Sequence, residues 1–98
     1  MKEGDRVLAM TGFGGYSEKV SIDSSRVFKL PDSVTLDQAA AIPVTYGTAY
    51  HMLFHLGRIC PGDTVLVHHA AGGVGTAVAQ LSRVAGASLV IGLSLIHI

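Results

Sequence analysis

The sequence predicts an α/β chain, and three observations point there. Thr64 to His68 (TVLVH) is a short β-prone run, apolar on both sides, as a central parallel strand would be. A glycine-rich loop, Ala70-Ala71-Gly72-Gly73-Val74-Gly75, follows at once, and a helical pattern follows the loop. Ser88 to Gly92 then reads as a second buried strand. Strand, helix and strand within roughly thirty residues make a right-handed βαβ unit.

The first third of the chain has a different texture. Asp5 to Met10 reads as a half-buried strand, and Thr11 to Gly15 supplies turn glycines. Tyr16 to Ile22 alternates apolar and polar residues, which predicts a strand exposed on one face. Arg26 to Leu30 is a further extended run, closed by Pro31.

Helical signals begin near Val34. Thr35 and Gln38 fit a capping box, each side chain reaching the other's backbone amide. The helix they start, Leu36 to Ile42, is expected to stop at Pro43, which has no amide to donate. A second helix is expected from about Tyr46 to Leu56. Its spacing puts Tyr46, Ala49, Tyr50 and Leu53 on one face. Gly57 is placed to end it in a left-handed conformation. Pro61-Gly62-Asp63 marks a turn before the βαβ unit. In that unit the helix runs from about Val74 to Ala85, and Gly86 ends it.

Composition narrows the function classes. Of 98 residues, 49% are hydrophobic and 14% charged, so the chain is not of disordered type. Net charge is zero and no basic run occurs, which gives no electrostatic reason to expect nucleic acid. All acidic residues lie at or before Asp63, and beyond it the only formal charge is Arg83. The uncharged run Val84 to Ile98 is shorter than the ~20 apolar residues of a membrane span. The residues Met1 to Arg6 lack the apolar core of a signal peptide. Cys60 is the only cysteine, so it supports neither an internal disulfide nor a cysteine zinc cluster. A reducing, cytoplasmic setting is expected, with Cys60 an unreactive thiol.

The glycine loop carries the chemistry. A dinucleotide fingerprint is Gly-x-Gly-x-x-Gly between a strand and a helix. Ala70 stands at the first position, and Gly72 and Gly75 fill the second and third. Gly72 lets the backbone approach a pyrophosphate, and Gly75 lets the helix pack tightly on the strand. The amides around Gly73 to Gly75 would then face the anion at the positive end of the helix dipole. No Lys-Ser or Lys-Thr follows, so a Walker loop is excluded. An NAD site usually has an acid about 20 residues on, holding the ribose hydroxyls. From Gly72 that count reaches Gly92, where no Asp or Glu stands. The missing acid tilts the reading toward NADPH over NADH.

Other polar residues weigh less. His51 and His55 share a helix face but have no third ligand nearby and no Glu between them, so no metal site is assigned. His68 and His69 sit where strand meets loop, read as strand-end residues, with a cleft-lining role as the alternative. Tyr46 and Tyr50 serve as core or, for Tyr46, as substrate cleft. Arg83 reads as a solvated helix residue.

The stretches GDRV, GFGGYSEKV, AAAIPVTYGTAY, PGDTVLVHHAAGGVGTAVAQL and AGA occur in this order. In this the chain resembles the medium-chain dehydrogenase/reductase superfamily, and most the zinc-free quinone oxidoreductase branch, zeta-crystallin-like and VAT-1-like. The resemblance runs from Lys2 to about Gly92. It implies that residues 1–32 are the end of a GroES-like β domain. It implies that residues 33–98 start a Rossmann domain, with 93–98 an atypical tail. The expected fold is thus a fragment joining those two domains. Thr48 would lie near the nicotinamide end of a cleft that Tyr46 lines. Ala71, Gly72, Gly73, Val74 and Gly75 would form the pyrophosphate loop. Zinc-dependent members carry a cysteine lobe after GDRV, and here the chain runs on without one, which implies no structural zinc.

The implied activity is NADPH-dependent reduction of a small-molecule quinone or enone. The cofactor would carry hydride chemistry, and no side chain is assigned as acid or base. A homodimer is implied only for a full-length chain. The rival reading is an incomplete, non-catalytic module that at most binds nucleotide or a partner, because two parallel strands alone leave sheet edges bare.

Overall fold

The computed structural model describes residues 1–94 and Ile96. The fold is mixed α/β and divides into two compact units, Met1–Pro43 and Val44–Ile98. The boundary expected at residue 32 falls inside the first unit.

In the first unit, β1 (Val7–Ala9) pairs antiparallel with β2 (Val27–Lys29), Leu8 facing Phe28. An ion pair at 3.1 Å, Lys29 Nζ to Asp5 Oδ1, ties the start of β1 to the end of β2. A short 3-10 turn, Ser24–Arg26, leads into β2 and is capped by the Asp23 side chain, which accepts from the Ser25 amide at 2.8 Å. The expected strand at Tyr16 to Ile22 does not form. Alternation gives a segment two faces but no ladder partner, and β1 and β2 pair only with each other among the described residues.

The capping box forms as read. Thr35 Oγ1 accepts from the Gln38 amide at 3.2 Å, and Gln38 Oε1 accepts from the Thr35 amide at 3.0 Å. Helix α1 then runs Leu36–Tyr50, straight through Pro43. The expected stop there is corrected. Proline removes one intrahelical bond, but packing holds the helix on both sides of it. Before Pro43, the cap and the buried Ala39 fix the first turns. After it, fully buried Ala49 joins the core and Tyr46 packs against that core.

The second expected helix is the continuation of α1, and its end is wider. His51–Leu56 form a π-helical turn, closed by the Gly57 amide donating to the Met52 carbonyl at 2.8 Å. Gly57 is right-handed, with φ −78°, and the left-handed residue is Arg58, at φ 50°. The wide turn moves the reversal one residue beyond the glycine. Cys60 to Asp63 make a tight turn, with Gly62 at φ 92° and the Asp63 carboxylate accepting from the Cys60 amide at 2.7 Å.

The βαβ unit follows the expectation closely. Strand β3 is Thr64–His68, helix α2 is Gly73–Val84, and β4 is Leu89–Leu93. The strands are parallel, in register from Thr64 beside Leu89 to His68 beside Leu93. Gly86, at φ 87°, turns the chain out of α2. The core is Ala49, Leu53, Val67, Ala77 and Val78, where α1 and the π-helical turn meet β3 and α2. The composition of β3 predicts burial on both sides. Among the described residues β4 is the one strand beside β3, and Leu66 is 55% exposed. Leu93 of the expected tail belongs to β4, while Leu95, His97 and Ile98 lie outside the described residues.

Candidate functional site

The loop between β3 and α2 is a cradle shaped by the absence of side chains. A Cβ built on Gly75 would fall on the His69 carbonyl oxygen and 2.8 Å from Ala70 Cα. The third glycine therefore lets α2 cross the end of β3 in close contact, as its place in the fingerprint requires. Gly92 does the same from β4, since a Cβ there would stand 2.7 Å from Ala70 Cβ. The loop is also tied to β4 directly, the Ala70 amide donating to the Leu93 carbonyl at 2.9 Å.

Ala70 at the first fingerprint position costs nothing, because the left-handed residue of the turn is His69, at φ 55°. Histidine tolerates that region better than most side chains. The Gly72 amide donates to the His69 carbonyl at 3.0 Å and closes the turn. Gly72 is the N-cap of α2, extended at φ −77° and ψ 172°. The Thr76 amide makes the first helical bond, to the Gly72 carbonyl at 2.9 Å. The amides of Gly73, Val74 and Gly75 precede it and form the open donor end of the helix. No acidic residue occupies the first turn of α2 to compete for them.

An apolar cavity of about 480 Å³ opens beside this turn, lined by Met52, His68, His69, Gly73 and Val74 among others. Both histidines border this cavity. Of the other expected site residues, Ala71 is exposed beside Gly72 and Val74 is half-buried against the core. Thr48 is exposed on α1. Tyr46 donates its hydroxyl to Gln80 Oε1 and so links α1 to α2. Among the described residues no group of three or more His, Cys, Asp or Glu could hold a metal ion. Nor is any described helix long and apolar enough to cross a membrane.

Two contacts at the loop went unread in the sequence. Thr45 Cγ2 lies 3.2 Å from where a Cβ on Gly73 would stand, so Thr45 on α1 packs against the glycine turn. Thr76 Oγ1 lies 3.5 Å from the Ala70 carbonyl, across the mouth of the loop. Neither threonine belongs to the glycine pattern: α1 brings Thr45 against Gly73, and the first turn of α2 brings Thr76 back over Ala70.

This donor end, built on a parallel βαβ frame with glycines at each close approach, fits a dinucleotide pyrophosphate. No family model matches the chain. Individual proteins do. The synaptic vesicle membrane protein VAT-1 homolog of Rattus norvegicus is 48% identical over 82 residues, which cover 84% of this chain and 20% of that protein. The chain spans about a fifth of the length of such curated relatives. The crystal structure of human VAT-1 homolog-like protein superposes with TM-score 0.88 at 40% identity, over 98% of this chain and 31% of that one. The quinone oxidoreductase of Thermus thermophilus, solved also in complex with NADPH, superposes with TM-score 0.82 at 33% identity, over 97% and 32%.

Proposed function

We propose that this chain, which belongs to the VAT-1 and quinone oxidoreductase group of the medium-chain dehydrogenase/reductase superfamily, is the cofactor-cradling part of an NADPH-dependent reductase. The observation that carries this reading is the packing at Gly75 and Gly92. Both lack room for a methyl group, and together they set the free amides of Gly73 to Gly75 at the mouth of the loop. The relative solved with NADPH supports the same cofactor here. So does the end of β4, because no Asp or Glu stands from Gly92 to Ser94 to hold a ribose hydroxyl or repel an added phosphate.

In this reading residues 1–32 close a GroES-like β domain and residues 33–98 open a Rossmann domain. Ala71, Gly72, Gly73, Val74 and Gly75 hold the pyrophosphate. Thr48 lies toward the nicotinamide end, and Tyr46 borders the substrate cleft while anchoring α1 to Gln80. Bound NADPH supplies hydride to an electron-poor carbon of a quinone or enone. The chain's own part is to fix the cofactor and exclude water around it. No zinc enters the reading, and a cytoplasmic setting suits its lone thiol.

The exposed apolar residues of the βαβ unit favour a second reading. Leu66, Leu89 and Ile91, on one face of the sheet by the strand register, are 55%, 52% and 42% exposed, which suits a binding module whose sheet face takes a partner. Titration of NADPH fluorescence with the intact protein, followed by turnover with a simple quinone, separates the two. Enhancement and turnover support the reductase. Absence of both at millimolar cofactor leaves the binding module.

A further inference from the structure

We infer that the imidazole of His69 is a displaceable plug over the pyrophosphate approach, so that cofactor binding is coupled to rotation of this one side chain. The inference rests on the dinucleotide reading of the loop. In the fingerprint, the second glycine is bare so that phosphate can come close to the backbone. Here that glycine is Gly72, and the space left by its missing Cβ is taken. A Cβ built there would fall on the His69 ring at Cδ2 and lie 2.6 Å from Nε2. The ring therefore stands in the space the glycine keeps open.

Its placement follows from the backbone. His69 is left-handed at φ 55°, and its carbonyl accepts from the Gly72 amide at 3.0 Å, which folds the turn over and brings residue 69 beside residue 72. Among the described residues the His69 ring makes no side-chain hydrogen bond, ion pair or ring contact that would hold it in place. The residue is exposed, and it lines the 480 Å³ cavity beside the loop, which offers room to rotate into. The other groups around that cavity are His68 and apolar residues such as Met52, Val74 and Val78. No carboxylate lines it to hold the imidazole by charge. A pyrophosphate arriving at Gly72 and the ring cannot share one volume, so binding selects molecules in which the ring has swung aside.

The test uses the intact protein with NADPH and ADP-ribose as probes. His69→Asn keeps a residue that tolerates the left-handed backbone but removes the ring, and His69→Gly removes the side chain altogether. Both variants bind either probe about fivefold tighter, as expected if the ring stands aside in about a fifth of molecules. In histidine-labelled protein, the nuclear Overhauser contact between the His69 ring proton on Cδ2 and the Gly72 α-protons is present without ADP-ribose and lost at saturation. Equal or weaker binding by both variants, or a contact that persists in the saturated complex, overturns the plug and leaves the dinucleotide loop standing. If wild type and variants bind neither probe, the dinucleotide reading itself fails and the plug falls with it.

Discussion

The Cα of Gly75 passes so close to the carbonyl oxygen of His69 that no methyl group fits between them. That contact sets how near α2 comes to the end of β3, and hence where its open amides stand. Gly75→Ala must push the helix off the strand. The obstruction is backbone, which cannot rotate away. A loss of about 1–3 kcal/mol or more is expected, the cost typical of overpacking a close-packed site. Urea unfolding of the variant beside wild type measures it. A variant as stable as wild type would show that the approach is not tight.

Gly92 and Ala70 make a pair of the same kind, but here the obstruction is one methyl group. Gly92→Ala alone is expected to destabilise. Ala70→Gly in the same chain removes the methyl it meets and recovers much of the loss. A double-mutant cycle reads the coupling, expected at about 0.5–3 kcal/mol for residues in contact. Additive effects would place the two side chains apart.

Ser82 is fully buried in α2, and its hydroxyl has no hydrogen-bond partner among the described residues. Burying an unpaired polar group costs about 1–3 kcal/mol. Ser82→Ala deletes the hydroxyl and leaves almost the same volume, so it should raise stability by about 1 kcal/mol. A thermal melt that shifts upward agrees, and a downward shift would mean that the hydroxyl has a partner.

Tyr46→Phe removes the hydroxyl that donates to Gln80 Oε1. A loss of about 0.5–1.5 kcal/mol is expected, the ordinary net worth of a hydrogen bond. Its kinetic readout separates anchoring from substrate contact. Loss of stability with an unchanged substrate KM confines the hydroxyl to anchoring, and a raised KM adds a role in the cleft.

The βαβ unit is legible in the sequence because its signals are local and agree. Thr64 to His68 has β-branched residues close together, Gly73 opens a helix, and Gly86 closes it. The capping box at Thr35 and Gln38 is equally local. The elements that differ depend on distant partners. Pro43 argues for a helix stop, yet Ala49 and Tyr46 find core contacts that carry the helix past it. Tyr16 to Ile22 has the alternation of a strand without a neighbour to pair with. Gly57 suits a reversal, but the π-helical turn before it shifts the left-handed residue to Arg58. At the site, the glycines are visible as a pattern. The pressure of Thr45 on Gly73 and of the His69 ring on Gly72 is not, because it arises from one crossing helix and one left-handed histidine.

In the reading proposed above, the amides of Gly73, Val74 and Gly75 receive a dinucleotide pyrophosphate. Amide chemical shifts of the intact protein, followed during titration with NADPH and separately with adenosine, test it most directly. Large shifts at Gly73 to Gly75 are expected with NADPH, and only small ones there with adenosine, which has no phosphate. Saturable NADPH binding that leaves those three amides unmoved would contradict the claim, as would no binding at all.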